Sequence, residues 1–151
     1  DGDFFAHMEE IDFCWRAQLA GYRIRVEPRS TVFHVGGGTL PNNSPQKIYL
    51  NFRNNLCMLF KNLSPGTFWP VLFSRMVLDG MAALVFLVQG HPDFFKKVFR
   101  AHIDFHRQRK SLHEKRRAIQ RHRVARPHGI LRNSIILLHA FGYRTFDKVM
   151  R

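Results

Sequence analysis

Near the start of the chain the apolar side chains Met8, Ile11, Trp15 and Leu19 recur at spacings of three and four, which predicts a helix over about Met8 to Ala20 with one buried stripe. Gly21 supplies its stop. The period then changes. Tyr22-Arg23-Ile24-Arg25-Val26 alternates apolar and basic residues, and Thr31-Val32-Phe33-His34-Val35 runs into three glycines, so both read as short strands. Gly36 to Pro45, rich in Gly, Asn, Ser and Pro, predicts a flexible loop beside the second strand. After Ser44-Pro45 the helical period returns: Tyr49, Phe52, Leu56, Leu59 and Phe60 share a face of a helix from about Gln46 to Asn62. Three more helices are predicted, over Trp69 to Gln89, Pro92 to about Gln120 and Leu131 to about Phe141, parted by Gly- and Pro-containing breaks. The pattern divides the chain into residues 1–62, mixed helix and strand, and 63–151, a helical extension.

Composition supports a folded chain, since 45% of the residues are hydrophobic and 13% aromatic, well outside the range of disordered sequences. Charge changes the picture more. The net charge is +13, and between Lys96 and Arg132 thirteen basic residues face only Asp104 and Glu114, so nearly all of the surplus lies in the extension. Such a balance favours an anionic partner. Cys14 and Cys57 lie in apolar helical patterns without metal-ligand spacing and read as free thiols. Pro70, Arg75 and Asp79 interrupt the most apolar stretch, Phe68 to Val88, which argues against a membrane-spanning helix there.

The densest chemistry stands at the first predicted helix. Glu9, Glu10 and Asp12 place three carboxylates within four residues at its N-terminal end, where the macrodipole favours them, and Asp12 is set to pair with Arg16 one turn on. A carboxylate in reach of a hydroxyl can take its proton as that hydroxyl attacks an electrophile. Helix-start electrostatics alone would account equally well for three acids at this place. The wider context is more specific. Phe5-Ala6-His7-Met8-Glu9-Glu10-Ile11-Asp12-Phe13-Cys14-Trp15-Arg16, followed by Ala20-Gly21-Tyr22, resembles the acidic-pair segment of bacterial family 2 glycosyltransferases, with Glu10 where that family more often has Asp.

The resemblance implies an α/β fold: residues 1–62 as the C-terminal portion of a GT-A domain whose sugar-nucleotide-binding half is missing. It implies an inverting, metal-dependent transfer of sugar from a nucleotide-sugar donor to a glycan or lipid-linked acceptor, inactive in this piece alone. By that resemblance Glu10 is the general base, while Glu9, Asp12, Trp15 and Arg16 position the acceptor or the helix. His34, at the end of the second predicted strand, becomes a ligand of a divalent metal, Mn or Mg, whose other ligands lie in the missing half. Arg53, in the run Tyr49-Leu50-Asn51-Phe52-Arg53-Asn54-Asn55, is placed either to reach a phosphate or to bridge helices.

The remaining histidines, among them His102 and His106 four residues apart, match no zinc spacing and read as surface or interfacial groups. Phe94-Phe95-Lys96-Lys97-Val98-Phe99-Arg100 reads as amphipathic and cationic, which suits the headgroup region of an anionic membrane and a peripheral position at the inner face of the bacterial cell membrane. Nucleic acid is the weaker partner, because charge alone supports it and no RNA- or DNA-binding motif accompanies the charge. The alternative to an enzyme is a non-catalytic basic helical module that binds anionic membrane or nucleic acid.

Overall fold

The computed structural model describes residues 1–33, 41, 44–127 and 142. A 3-10 turn at Gly2–Phe4 leads into α1, Glu9–Leu19, and four further helices follow: α2, Pro45–Asn62; α3, Pro65–Val88; α4, Pro92–Arg107; and α5, Arg109–Arg121. α2 lies at the centre and packs on all the others, most extensively on α4. Ser44 starts α2 by accepting a hydrogen bond at its hydroxyl from the Lys47 N–H, with Pro45 in the first turn.

The apolar period of α2 is what organises the core. Leu56, Met58 and Phe60 are buried together with Phe68 and Leu72 of α3, Phe105 of α4 and Leu112 of α5. Phe60 is the hub, edge-on to Phe68 at 5.1 Å, Phe105 at 5.8 Å and the His113 ring at 4.9 Å. The end of α2 is capped from α5: Arg116 Nη1 donates to the carbonyls of Phe60 and Leu63, and Gln120 Nε2 reaches the carbonyls of Lys61 and Asn62. Part of the basic surplus of the extension is thus spent inside the fold.

The expected α/β architecture is overturned: the described residues hold helices and no strand. Arg23 to Phe33 runs as exposed, irregular chain with a turn near Pro28, and no other segment among the described residues pairs with its backbone. Alternating side chains specify how a segment would sit in a sheet, but a strand exists only where another offers its N–H and C=O groups, and two short segments on their own are marginal in water. Val26, Val32 and Phe33 accordingly stand almost fully in solvent. His34, Val35 and the predicted helix over 131–141 lie outside the described residues.

The single long helix expected over Pro92 to Gln120 is two, breaking at Gln108. Phe105 of α4 and Leu112 of α5 both enter the core. α3 departs from expectation in another way. It is long and apolar enough to cross a membrane, with a mean hydropathy of 2.0 over its most apolar window, even with Arg75 and Asp79 in the helix. Asp79 is buried, 2.7 Å from Arg75 Nε and 3.2 Å from His102 Nε2 on α4.

Candidate functional site

The three carboxylates at the start of α1 have unlike surroundings. Glu9 and Glu10 are exposed and make no hydrogen bond or ion pair with any described residue. Asp12, two residues beyond Glu10, faces the other way from it and is fully buried. Its Oδ2 accepts from Arg16 Nε at 2.8 Å; its Oδ1 accepts from Asn62 Nδ2 at 2.8 Å and lies 3.1 Å from Lys61 Nζ. Burial pushes the Asp12 carboxyl upward, but the Lys61 ammonium and the hydrogen bonds of Asn62, Lys61 and Arg16 outweigh it, leaving the group below its ordinary value. The Lys61 ammonium is drawn down by its own burial, against the pull of Asp12. Lys61 also pairs with Asp1, and Lys115 of α5 ties Asp1 and Asp3 together at 2.6 Å each.

The segment leading into α1 is strained. Phe5, His7 and Met8 all have positive φ, at 62°, 68° and 69°, a region that L-residues with a Cβ enter at a cost of roughly 1–2 kcal/mol each. At Phe5, with ψ near −56°, the chain makes a γ-turn of the rare positive-φ kind, closed by the Ala6 N–H donating to the Phe4 carbonyl at 2.7 Å. These turns aim successive carbonyls at α2, where Asn54 waits. Its buried Nδ2 donates to the carbonyls of Phe4, Ala6 and His7 at 3.0, 2.8 and 2.9 Å. Arg53 Nη2 donates to the Asp3 carbonyl at 2.7 Å and, with Nε, to Asn54 Oδ1, which fixes the amide's orientation. Sequence alone leaves Arg53 between a phosphate and a bridge; its hydrogen bonds are those of a bridge.

At the far end α1 closes in a Schellman arrangement. Tyr22 N–H donates to the Ala17 carbonyl and Gly21 N–H to that of Gln18, both at 3.0 Å, with Gly21 at φ 91°. A Cβ at Gly21 would also meet Val124 Cγ2 at 3.1 Å, because the chain after α5 returns here, donating the Val124 and Ala125 N–H groups to the Leu19 carbonyl. α1 is therefore anchored at both ends, with Glu9 and Glu10 on the side that no other described residue covers. Trp15 lies against the core, its indole nitrogen buried without a partner among the described residues.

Of the residues singled out from sequence, Asp12, Arg16, Trp15 and Arg53 are brought together into the support of this ledge, and Glu9 and Glu10 stand on it. Among the described residues no three His, Cys, Asp or Glu side chains come together as a metal site. The donor set present does not by itself make a metal centre, and His34 lies outside it. Asn54, Lys61 and Asn62 are the members that sequence reasoning missed. A signal existed for Asn54: two adjacent asparagines in a helix interior go against helix propensity and ask for a side-chain partner. None existed for Lys61, which reads as an ordinary solvated charge. Comparison with known proteins gave no match: no family model, no curated relative and no solved structure aligns with the chain.

Proposed function

We propose that the ledge at the start of α1 presents Glu10 as the general base of a sugar transfer, taking the proton of an acceptor hydroxyl as that oxygen attacks the anomeric carbon of a nucleotide sugar with inversion. The observation that carries this reading is the separation of the acids. Asp12 is neutralised inside the fold, while Glu10 projects unpaired from a segment that three backbone hydrogen bonds from one asparagine hold in a strained conformation. A base must be both free to accept a proton and fixed in place. Glu9 and the exposed Phe5 line the same ledge and suit contact with a glycan or lipid-linked acceptor. His34, with ligands from outside the described residues, would hold the divalent ion, Mn or Mg, that neutralises the leaving diphosphate.

The test belongs in the polypeptide that carries this segment together with the sugar-nucleotide-binding half the resemblance implies. Glu10→Gln keeps the shape and removes proton acceptance, so transfer falls by roughly a hundredfold to ten-thousandfold while donor binding stays near that of the unaltered enzyme. Unchanged turnover refutes the assignment. Glu9→Gln is the internal control, with a smaller loss expected.

A further inference from the structure

α3 carries its largest apolar groups on the outside. Trp69, Phe73, Val77, Met81, Leu84 and Val88, spaced by three or four residues, form one stripe along the whole helix, and all are exposed. The opposite side packs on α2 and α4 through Phe68, Leu72 and Ala83, and it takes the helix's two charges with it, Arg75 bonded to Asp79. Nothing polar breaks the outer stripe except Ser74 and Gly80 at its margins. A contiguous apolar surface of this length marks a docking face.

The charge beside it identifies the occupant. The turn at Gly90 folds α4 back along α3, with the Phe86 and Phe94 rings 5.4 Å apart, so the first turns of α4 lie next to the last turns of α3. Between the first turns of α2 and α4 an open cleft of about 490 Å³ is lined by Gln46, Tyr49, Lys96, Lys97, Arg100 and Asp104. Three cations face one carboxylate. Asp104 is engaged by Arg100 Nε at 2.8 Å and by the Tyr49 hydroxyl at 3.0 Å, and Lys97 reaches Gln46 Oε1 at 3.4 Å, while Lys96 makes no bond to a described residue. The cleft has room and positive charge for a phosphate.

We propose that α3 lies in the interface of an anionic phospholipid bilayer, its outer stripe among the acyl chains, with a lipid phosphate held in the cleft of Lys96, Lys97 and Arg100. Lying in the plane, and not spanning, follows from the packing: α2 and α4 cover the inner side, and the charges of α4 cannot follow α3 into hydrocarbon. Apolar burial and headgroup attraction add, and either alone anchors weakly. The inference stands apart from sugar transfer, since it uses none of the residues at the α1 ledge.

Vesicles of phosphatidylcholine, with and without phosphatidylglycerol, test it on the whole 151-residue chain. Binding is expected to the anionic vesicles, to fall as salt rises, and to be accompanied by quenching of Trp69 by lipids brominated in their acyl chains, a signal lost in Trp69→Phe. Lys96→Gln with Lys97→Gln and Arg100→Gln should weaken binding by roughly a hundredfold at low salt. Phe73→Ser with Met81→Ser and Leu84→Ser, all exposed positions whose helicity circular dichroism checks, should abolish quenching. Equal binding to neutral and anionic vesicles, absence of quenching, or indifference to either set of substitutions overturns the proposal. So does release by inorganic phosphate at the concentration of lipid phosphate, which would make the cleft a site for the free anion.

Discussion

The junction of α1 with α2 and the outer face of α3 break the usual rule of burial in opposite senses. At the junction Asp12, Asn54, Lys61 and Asn62 are all buried, whereas on α3 Trp69 and Phe73 are 68% and 69% exposed. Apolar burial drives folding in both places, yet it decides neither arrangement. At the junction the buried charges and amides are paired with one another, and they hold backbone that would otherwise relax. On α3 the polar groups are withdrawn and the outer apolar face is left uncovered by the other described residues. The first arrangement pairs its polar groups with one another and shapes a ledge; the second keeps large apolar groups in contact with water.

The largest effect on this contrast should come from breaking the buried pair. Asp12→Asn preserves volume but leaves Lys61 and Arg16 short of their shared partner, and such a loss costs about 3 kcal/mol, read as a fall in the urea midpoint. Asp1 remains beside Lys61, which keeps the loss at the lower end of the range for buried pairs. The pH dependence has a definite sign. Because the folded state holds the Asp12 carboxyl below its ordinary value, its contribution is present in full above the usual carboxylate range and disappears as pH falls through the lowered value. The acid limb of the stability profile should therefore be shallower in Asp12→Asn than in the unaltered protein. An identical limb would mean that other groups, Asp3 and Asp104 among them, carry the acid sensitivity.

Asn54→Ala comes next. It removes the amide that ties the carbonyls of Phe4, Ala6 and His7 to α2, at about 2 kcal/mol, and it should also speed hydrogen exchange over residues 4–8 more than elsewhere. If exchange rises uniformly, Asn54 is stabilising the whole fold and not the ledge.

Phe5→Gly should act in the other direction. A glycine relieves the positive φ at a residue that is 75% exposed, so little packing is lost, and the relief of about 1–3 kcal/mol is offset by roughly 0.5–1 kcal/mol of added freedom in the unfolded chain. A net gain of about 1 kcal/mol is expected. If the proposed sugar transfer holds, stability gained together with transfer lost would show that the strained aromatic is kept for contact with the acceptor. A loss of stability would show that Phe5 is not strained.

Much of the helical frame was legible in the sequence, because periodic apolar residues, the Ser44-Pro45 start and the Gly21 stop act locally, although α3 begins at Pro65, four residues before the expected Trp69. The bounds of α2 follow from Ser44-Pro45 and Ser64-Pro65 directly. The Asp12–Arg16 pair was legible too, being set by helix spacing alone. What sequence could not supply was whatever depends on a distant partner. Tyr22 to Val26 alternates as a strand does, but pairing needs a second strand at hand. Arg75 and Asp79 looked like breaks in an apolar stretch because their sequence positions do not reveal that Asp79 meets His102 of α4 and Arg75 lies over the Phe52 ring of α2. Lys61 gave no sign of its burial, since the groups that hold it come from both ends of the described chain, Asp1 and Asp12 at one end and the cap from α5 at the other.

The smallest expected effect is on α3, and it is the sharpest test of the contrast because it predicts almost nothing. Phe73→Gln and Met81→Gln remove large apolar side chains from a helix, which in a core would cost about 3 kcal/mol or more. Here both residues face outward, and glutamine is at least as good a helix former as phenylalanine, so unfolding free energy should change by no more than about 0.5 kcal/mol. Sedimentation velocity gives the complementary reading. An apolar stripe in water drives association, so the unaltered chain should self-associate as concentration rises and the double variant should not. A loss of about 2 kcal/mol in the double variant, together with a wild-type dimer that persists on dilution, would place a second copy of this chain on the stripe and leave no free face for a bilayer.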